Sequence, residues 1–269
     1  MLHPHSKLTA LAPLPAAALG AWVAYRAGVE PKAFITSVLG IGAGLFFYFL
    51  LGPRVQALLF RRVTPMATLA ILFLASTLAS PGLGDVHRWV SWGNYYVNAS
   101  MIIAPIILYG VYISFVRRDR FLPLVLIAFA SAIHVLQPDA GQSTAFGCAC
   151  IVLLLLARGT PVAVRLVGVI LVAIGTLLAR SQPDTLPAVE HSERILHLVV
   201  KQGGVAVIGM IGGMICLFAP LLRSSVLAVT FSTYLAAQFA VTEFGNYPVP
   251  VFGAGAASII GWYLMARLR

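Results

Sequence analysis

Ten apolar runs, separated by short breaks that carry most of the charge, leave this chain of 269 residues few ways to fold. They lie at roughly Leu8–Arg26, Ala33–Leu51, Val63–Ser80, Asn98–Phe115, Phe121–Leu136, Gln142–Leu156, Pro161–Leu178, Gly203–Leu221, Ser224–Val241 and Val249–Ala266. A membrane-spanning helix takes roughly 20 residues. Lipid offers the backbone no water to bond, so runs of this length must be helices. The alternating pattern of an outer-membrane barrel is absent. Of all residues 60% are hydrophobic and 10% charged, against about 25% charged in a soluble domain. That excludes a disordered chain, a disulfide-rich secreted scaffold and an ordinary soluble enzyme. The expected fold class is an all-α polytopic membrane helix bundle of about ten transmembrane helices with both termini cytoplasmic. It forms one domain over residues 1–269, with outer loops at 81–97 and 181–202.

Charge placement sets the orientation. With the N-terminus inside, twelve of the 18 Lys and Arg residues fall on the cytoplasmic side, the excess expected of the positive-inside rule. The acids do the reverse. Asp119 alone lies inside, whereas Glu30, Asp85, Asp139, Asp184, Glu190, Glu193 and Glu243 lie outside. Charged chemistry is therefore expected on the outer face. The net charge of +10 is a topology signal and implies no nucleic-acid partner. Cys148, Cys150 and Cys216 all sit inside apolar runs, where neither a disulfide framework nor a metal site is expected. Met1–Lys7 is polar, and no small-residue cleavage site follows it, so the first run is read as a retained span.

Four segments could carry chemistry. The first outer loop turns at Gly82, Gly84 and Asp85 and then presents Arg88, Trp89 and Trp92. These make either an aromatic belt with a snorkelling arginine or an anion-pairing site. At Gln137-Pro138-Asp139-Ala140-Gly141 the helix breaks, and Asp139 either caps the next helix or acts at the outer surface. His134, one turn earlier, is expected to find a partner or bond a backbone carbonyl. In the second outer loop Glu190, Glu193, Arg194 and His197 would share a helix face, as mutual ion pairs or around a catalytic carboxylate. Before the last run, Pro248, Pro250 and the small residues Gly253–Ser258 make irregular backbone, which in a membrane must be buried in protein or line a wet groove. Gly40/Gly44 and Gly209/Gly213 are spaced for close helix contact. Asn98-Ala-Ser100 matches a glycosylation acceptor but abuts a span, so it is discounted.

The order of these motifs resembles the SEDS family of RodA- and FtsW-like membrane glycan polymerases. His87-Arg88-Trp89-Val90 with Gly93 is similar to that family's first-loop pattern. Gln137-Pro138-Asp139-Ala140-Gly141 matches its break between the fifth and sixth spans, with Thr144-Ala145 displaced by two residues. Pro248-Val249-Pro250 and Gly253–Ser258 resemble a weakened copy of its segment before the tenth span. The chain is shorter than typical members, chiefly between the seventh and eighth spans, where the family carries its catalytic aspartate. Leu186-Pro187 and Glu190-His191-Ser192-Glu193 can be laid on that aspartate's motif, which puts Glu193 in its place. Alternatively, Arg194–Leu198 resembles the start of that loop, and the catalytic segment is deleted.

The resemblance implies a glycosyltransferase acting on an undecaprenyl-pyrophosphate-linked sugar of the lipid II type at the outer face of a bacterial inner membrane. Glu193 is then the catalytic base, with Asp139 second. Arg88, Trp89, Gln137, Arg194 and His191 are the substrate-binding candidates. A divalent cation, Mg or Mn, could assist the leaving diphosphate, although no ligand cluster demands one. Membrane lipids, the undecaprenyl-linked glycan and a single-span transpeptidase or other membrane subunit are the implied partners. The alternative is a degenerate SEDS-like bundle serving as a structural or lipid-binding subunit. A transporter or channel ranks below both, since few charges lie within the runs and no inverted repeat is evident.

Overall fold

A computed structural model describes residues 7–93 and 95–269. The polar start at residues 1–6, Asn94, and the side chains of Trp92 and Tyr95 lie outside this description. Ten long helices occupy the ten apolar runs. They are α1 (Lys7–Arg26), α2 (Pro31–Arg61), α3 (Val63–Ala79), α4 (Ala99–Val116), α5 (Phe121–Leu136), α6 (Ala140–Leu156), α7 (Val162–Ser181), α10 (Gly204–Phe218), α11 (Val226–Val241) and α12 (Ala257–Leu268). Two short helices, α8 (Glu190–Glu193) and α9 (Ile195–Gln202), precede α10. Of the ten, α1, α2, α4 and α7 are each long and apolar enough to cross a bilayer.

Apolar side chains cover the outer surface, and a group of polar ones lies within the otherwise apolar core. The face of α7 displays Leu166, Val167, Ile170, Ile174 and Leu177, while Arg88, His134, Gln137, Asp139 and Gln142 are buried. Apolar side chains outside and polar ones inside suit a bundle dissolved in lipid. α11 packs along α6, α7 against α5 and α6, α10 along α1, and α12 against α2 and α4.

Two ends differ from the sequence expectation. The second run was expected to stop at Leu51, yet α2 continues to Arg61. A π-helical turn at Phe47–Leu51 carries the chain through Gly52-Pro53, where Pro53 cannot donate to the helix ladder. The last helix starts at Ala257 rather than Val249. Between them, residues 249–256 are irregular, and their polar backbone is tied down individually. Val249 N–H donates to Ser192 O (2.9 Å) and Ala254 N–H to His191 O (3.0 Å). Ser258 Oγ accepts from Val251 N–H (3.0 Å), and Ser37 Oγ accepts from Gly255 N–H (3.0 Å). This is the accounting that irregular backbone at membrane depth requires.

The first outer loop is an ordered hairpin, which the sequence reading did not foresee. Gly84 and Asp85 both take positive φ (53° and 64°) in a tight turn closed by Leu83 and Val86. Strands β1 (Trp89–Trp92) and β2 (Tyr95–Asn98) then pair antiparallel, Trp89 opposite Asn98. Asn98 Oδ1 accepts from Met101 N–H (3.0 Å) as the buried cap of α4, so the glycosylation-like Asn is a structural residue.

Both glycine pairs meet partner helices. Gly40 and Gly44 face Ala256 and Tyr263, and Gly209 and Gly213 face Leu19 and Ala16. The closest approaches to backbone oxygens lie elsewhere. A methyl group on Gly20 would overlap the carbonyl oxygen of Phe252, and one on Gly261 would overlap that of Met101. Nothing lies within 4 Å of the corresponding position at Gly42. Gly20→Ala and Gly261→Ala should therefore each cost about 1–3 kcal/mol by overpacking against backbone. Gly42→Ala should be neutral or slightly stabilising. Thermal unfolding of the three variants in detergent separates these outcomes.

Candidate functional site

Two outer compartments sit side by side, and the hairpin feeds both. Trp89 borders the first and Arg88 the second.

The first is a cavity of about 380 Å³. The hairpin and the start of α4 supply Trp89, Tyr96, Asn98 and Met101; α8 supplies His191, Ser192 and Glu193; the irregular segment before α12 closes the wall. The position of α8 is set by that segment. Besides the two backbone bonds above, Ser192 Oγ donates to Ala254 O (3.2 Å), and any side chain at Gly253 would overlap Ser192 O. Glu193 is half-buried. Its Oε2 accepts from Val189 N–H (2.8 Å), closing the turn that begins α8. Burial raises its pKa above the usual 4.5, although Val189 N–H and the charge of Arg88 pull it down. Burial likewise lowers the pKa of His191, against the pull of Glu190. The wall thus offers a carboxylate more basic than an exposed one and an imidazole biased to the neutral form.

The second compartment is built around Arg88, which is only 2% exposed. Its Nη2 donates to Asp184 Oδ2 (2.7 Å) and, with Nε (3.1 Å), to Pro138 O. Asp139 Oδ1 lies 3.9 Å from Nε. The guanidinium also stacks 5.3 Å from the ring of Tyr247. Burial alone would lower the arginine's pKa; Asp139 and Asp184 more than offset it and raise it above the ordinary arginine value. Tyr247 fits because Gly141 beneath it has no side chain. One arginine therefore ties together the first loop, the break between α5 and α6, the 182–189 segment and the approach to α12. Pro138, Arg180, Asp184, Asn246 and Tyr247 line a neighbouring cavity of about 240 Å³.

The remaining candidates separate. Asp139 is 1% exposed. Its Oδ1 caps α6 by accepting from Gln142 N–H (3.0 Å), and it lines neither outer cavity described above. Gln137 is wholly buried and hydrogen-bonded to Thr77 (2.5 Å) and Ser100 (3.3 Å), so it braces α3, α4 and α5. Arg194 Nη2 donates to Asn246 Oδ1 (2.9 Å), and the Asn246 amide donates to Leu186 O (2.9 Å). The expected face of mutual ion pairs does not form, because the chain breaks at Arg194 between α8 and α9. Instead His197 pairs with Glu243 (3.4 Å). Neither ring nitrogen of His134 has a partner among the described residues; the ring lies edge-on to Phe146. Asp184, Asn246 and Tyr247 were not among the sequence candidates. Their signal was faint: an outer acid, and an Asn-Tyr pair beside the Pro-x-Pro segment.

A divalent cation finds no ready cage here. Among the described residues no three His, Cys, Asp or Glu side chains converge. Among the described residues Glu193 is the sole carboxylate on the first cavity's wall.

No protein-family model matches the sequence, and no curated protein resembles it closely enough to count as a relative. The fold, however, is similar to solved structures over almost its whole length. It matches the Thermus thermophilus rod shape determining protein RodA with a TM-score of 0.71 at 20% identity, covering 97% of this chain and 93% of that one. An aspartate-to-alanine variant of that RodA matches with a TM-score of 0.70 at 19% identity, covering 97% and 94%. A chain from a structure describing polymerization and crosslinking by a peptidoglycan synthase complex matches with a TM-score of 0.62 at 19% identity, covering 96% and 95%. The chain thus has a SEDS/RodA-like fold, a membrane bundle of helices, and the likeness runs through all ten long helices.

Removing the hub isolates its role. Arg88→Gln leaves Asp139 and Asp184 without their cation in a desolvated site and should cost about 3–5 kcal/mol. Arg194→Gln gives up one bond to a neutral amide and should cost about 1 kcal/mol. Chemical unfolding of both variants in detergent reads the difference.

Proposed function

We propose that the chain is a SEDS-type membrane glycosyltransferase of the bacterial inner membrane, polymerising an undecaprenyl-pyrophosphate-linked sugar of the lipid II type at the outer face, with Glu193 as its base. The observation that carries this reading is the half-buried, raised-pKa Glu193 on the wall of an outer cavity, within a RodA-like fold. The ionised Glu193 takes the proton from the acceptor sugar hydroxyl. The freed oxygen attacks the donor's anomeric carbon, whose bond to the pyrophosphate breaks, and undecaprenyl pyrophosphate leaves with the electron pair. Trp89 and Tyr96 offer apolar faces for sugar rings along the same wall. Arg88 acts here by holding the compartment's walls in place, its Nε and Nη2 donating to Pro138 and Asp184. The peptidoglycan synthase complex among the similar structures supports a membrane partner, for which a single-span transpeptidase is the natural candidate.

One observation favours a second reading. Among the described residues no Arg or Lys side chain lines the Glu193 cavity, although a leaving diphosphate calls for cations. A structural or lipid-binding subunit needs none. Stable co-purification with a membrane partner, without turnover, would support it.

The assay is polymerisation of labelled lipid II by the purified protein, with and without a divalent cation. Glu193→Gln should lose roughly 100-fold or more of the rate, whereas Asp139→Asn should act through stability. The pH profile supplies the sign. Burial raises the pKa of Glu193, so the rate should fall as pH drops through a midpoint above 4.5, and the Gln variant should lack that limb. Unchanged polymer from both variants overturns the assignment of the base.

A further inference from the structure

We propose that the inner face carries a binding site for one anionic phospholipid, seated between the cytoplasmic ends of α4 and α6 and the start of α11. A cavity of about 550 Å³ lies there, far from the outer compartments. Its walls are mostly apolar, including Tyr112, Phe115, Leu156 and Val229. A second cavity of about 290 Å³ adjoins it, sharing Phe115, Val116 and Arg158, and carries Arg118 and Arg120 on its wall. An apolar chamber thus opens onto a cationic rim.

The rim's cations are free to meet an anion. Neighbouring arginines are committed elsewhere: Arg117 donates to Phe60 O and stacks on its ring, and Arg165 donates to Ala157 O (2.8 Å). The side chains of Arg118, Arg120 and Arg158 are exposed and make no ion pair or hydrogen bond among the described residues. Among the described residues of the rim the one acid, Asp119, is turned to the start of α5 through its Oδ1. Asp119 Oδ1 accepts from the N–H groups of Phe121 (2.9 Å) and Leu122 (3.1 Å), capping α5. Arg118 also holds a φ of 61° at the end of α4, a left-handed position that favours glycine. An arginine is kept where the backbone would prefer no side chain. A free phosphate would satisfy the rim and leave the chamber unfilled. A phospholipid satisfies both, with an acyl chain among Tyr112, Phe115, Leu156 and Val229 and its phosphate at Arg118 and Arg158. Polybasic sites at the cytoplasmic leaflet attract anionic lipids in this way.

The test is native mass spectrometry of the purified full chain titrated with phosphatidylglycerol or phosphatidylcholine of the same acyl chains. One phosphatidylglycerol should be retained, roughly tenfold or more tightly than phosphatidylcholine. Arg118→Gly with Arg158→Gln should abolish that preference. The glycine suits the backbone, so the lipid-free melting temperature should hold; if the pair melts early, Arg158→Gln alone is read instead. Val229→Trp, which fills the chamber, should weaken retention of both lipids. Equal retention of the two lipids, or a preference that survives the arginine substitutions, overturns the proposal. So does inorganic phosphate raising the melting temperature as much as phosphatidylglycerol, which would mark a site for free phosphate.

Discussion

Every peptide group in lipid must find its partner inside the protein, and the outer half of this molecule is organised by how it meets that demand. The ten helices satisfy their own ladders. The stretch at residues 249–256 cannot, because Pro250 and its small neighbours refuse to wind. It borrows hydroxyls from Ser37 and Ser258 and carbonyls from His191 and Ser192. Those carbonyls belong to α8, so the backbone debt of one segment fixes the place of another. Glu193 stands on the cavity wall for that reason.

The buried charge follows the same logic by a different route. Arg88 draws four outer segments toward one guanidinium, and two carboxyls and a carbonyl neutralise and solvate it in place of water. A desolvated ion of this kind is a poor ligand for anything else. The entry to β1 makes the arrangement possible: Arg88 just precedes the strand and Trp89 opens it, and the two stand at different compartments.

Much of this was legible in the chain because hydrophobic length is a local property. The fifth run coincides with α5, and the sixth helix starts two residues before its expected position. What depended on distant partners was not legible. Gly52-Pro53 reads as a stop until a π turn absorbs it. The irregular backbone before α12 was readable from Pro250 and its small neighbours, but its hydrogen-bond partners on α2, α8 and α12 were not. The residues singled out for chemistry are real neighbours of the outer face, yet linear order could not divide them. Trp89, His191 and Glu193 share one wall, Arg88 and Asp139 lie behind it, and Gln137 serves the core. Asp184 was visible as an outer acid, but nothing local marked it as the partner of Arg88.

The contact between Gly20 and the Phe252 carbonyl has a mechanical meaning. Most walls in a protein are padded by side chains that hop between rotamers, and that padding yields. Here the first helix rests on the segment that bounds the outer cavity with backbone against backbone and no rotamer between them. That stretch of wall has no soft layer. Its position is as stiff as the helix behind it, so a molecule entering the cavity must adapt its own shape at this point.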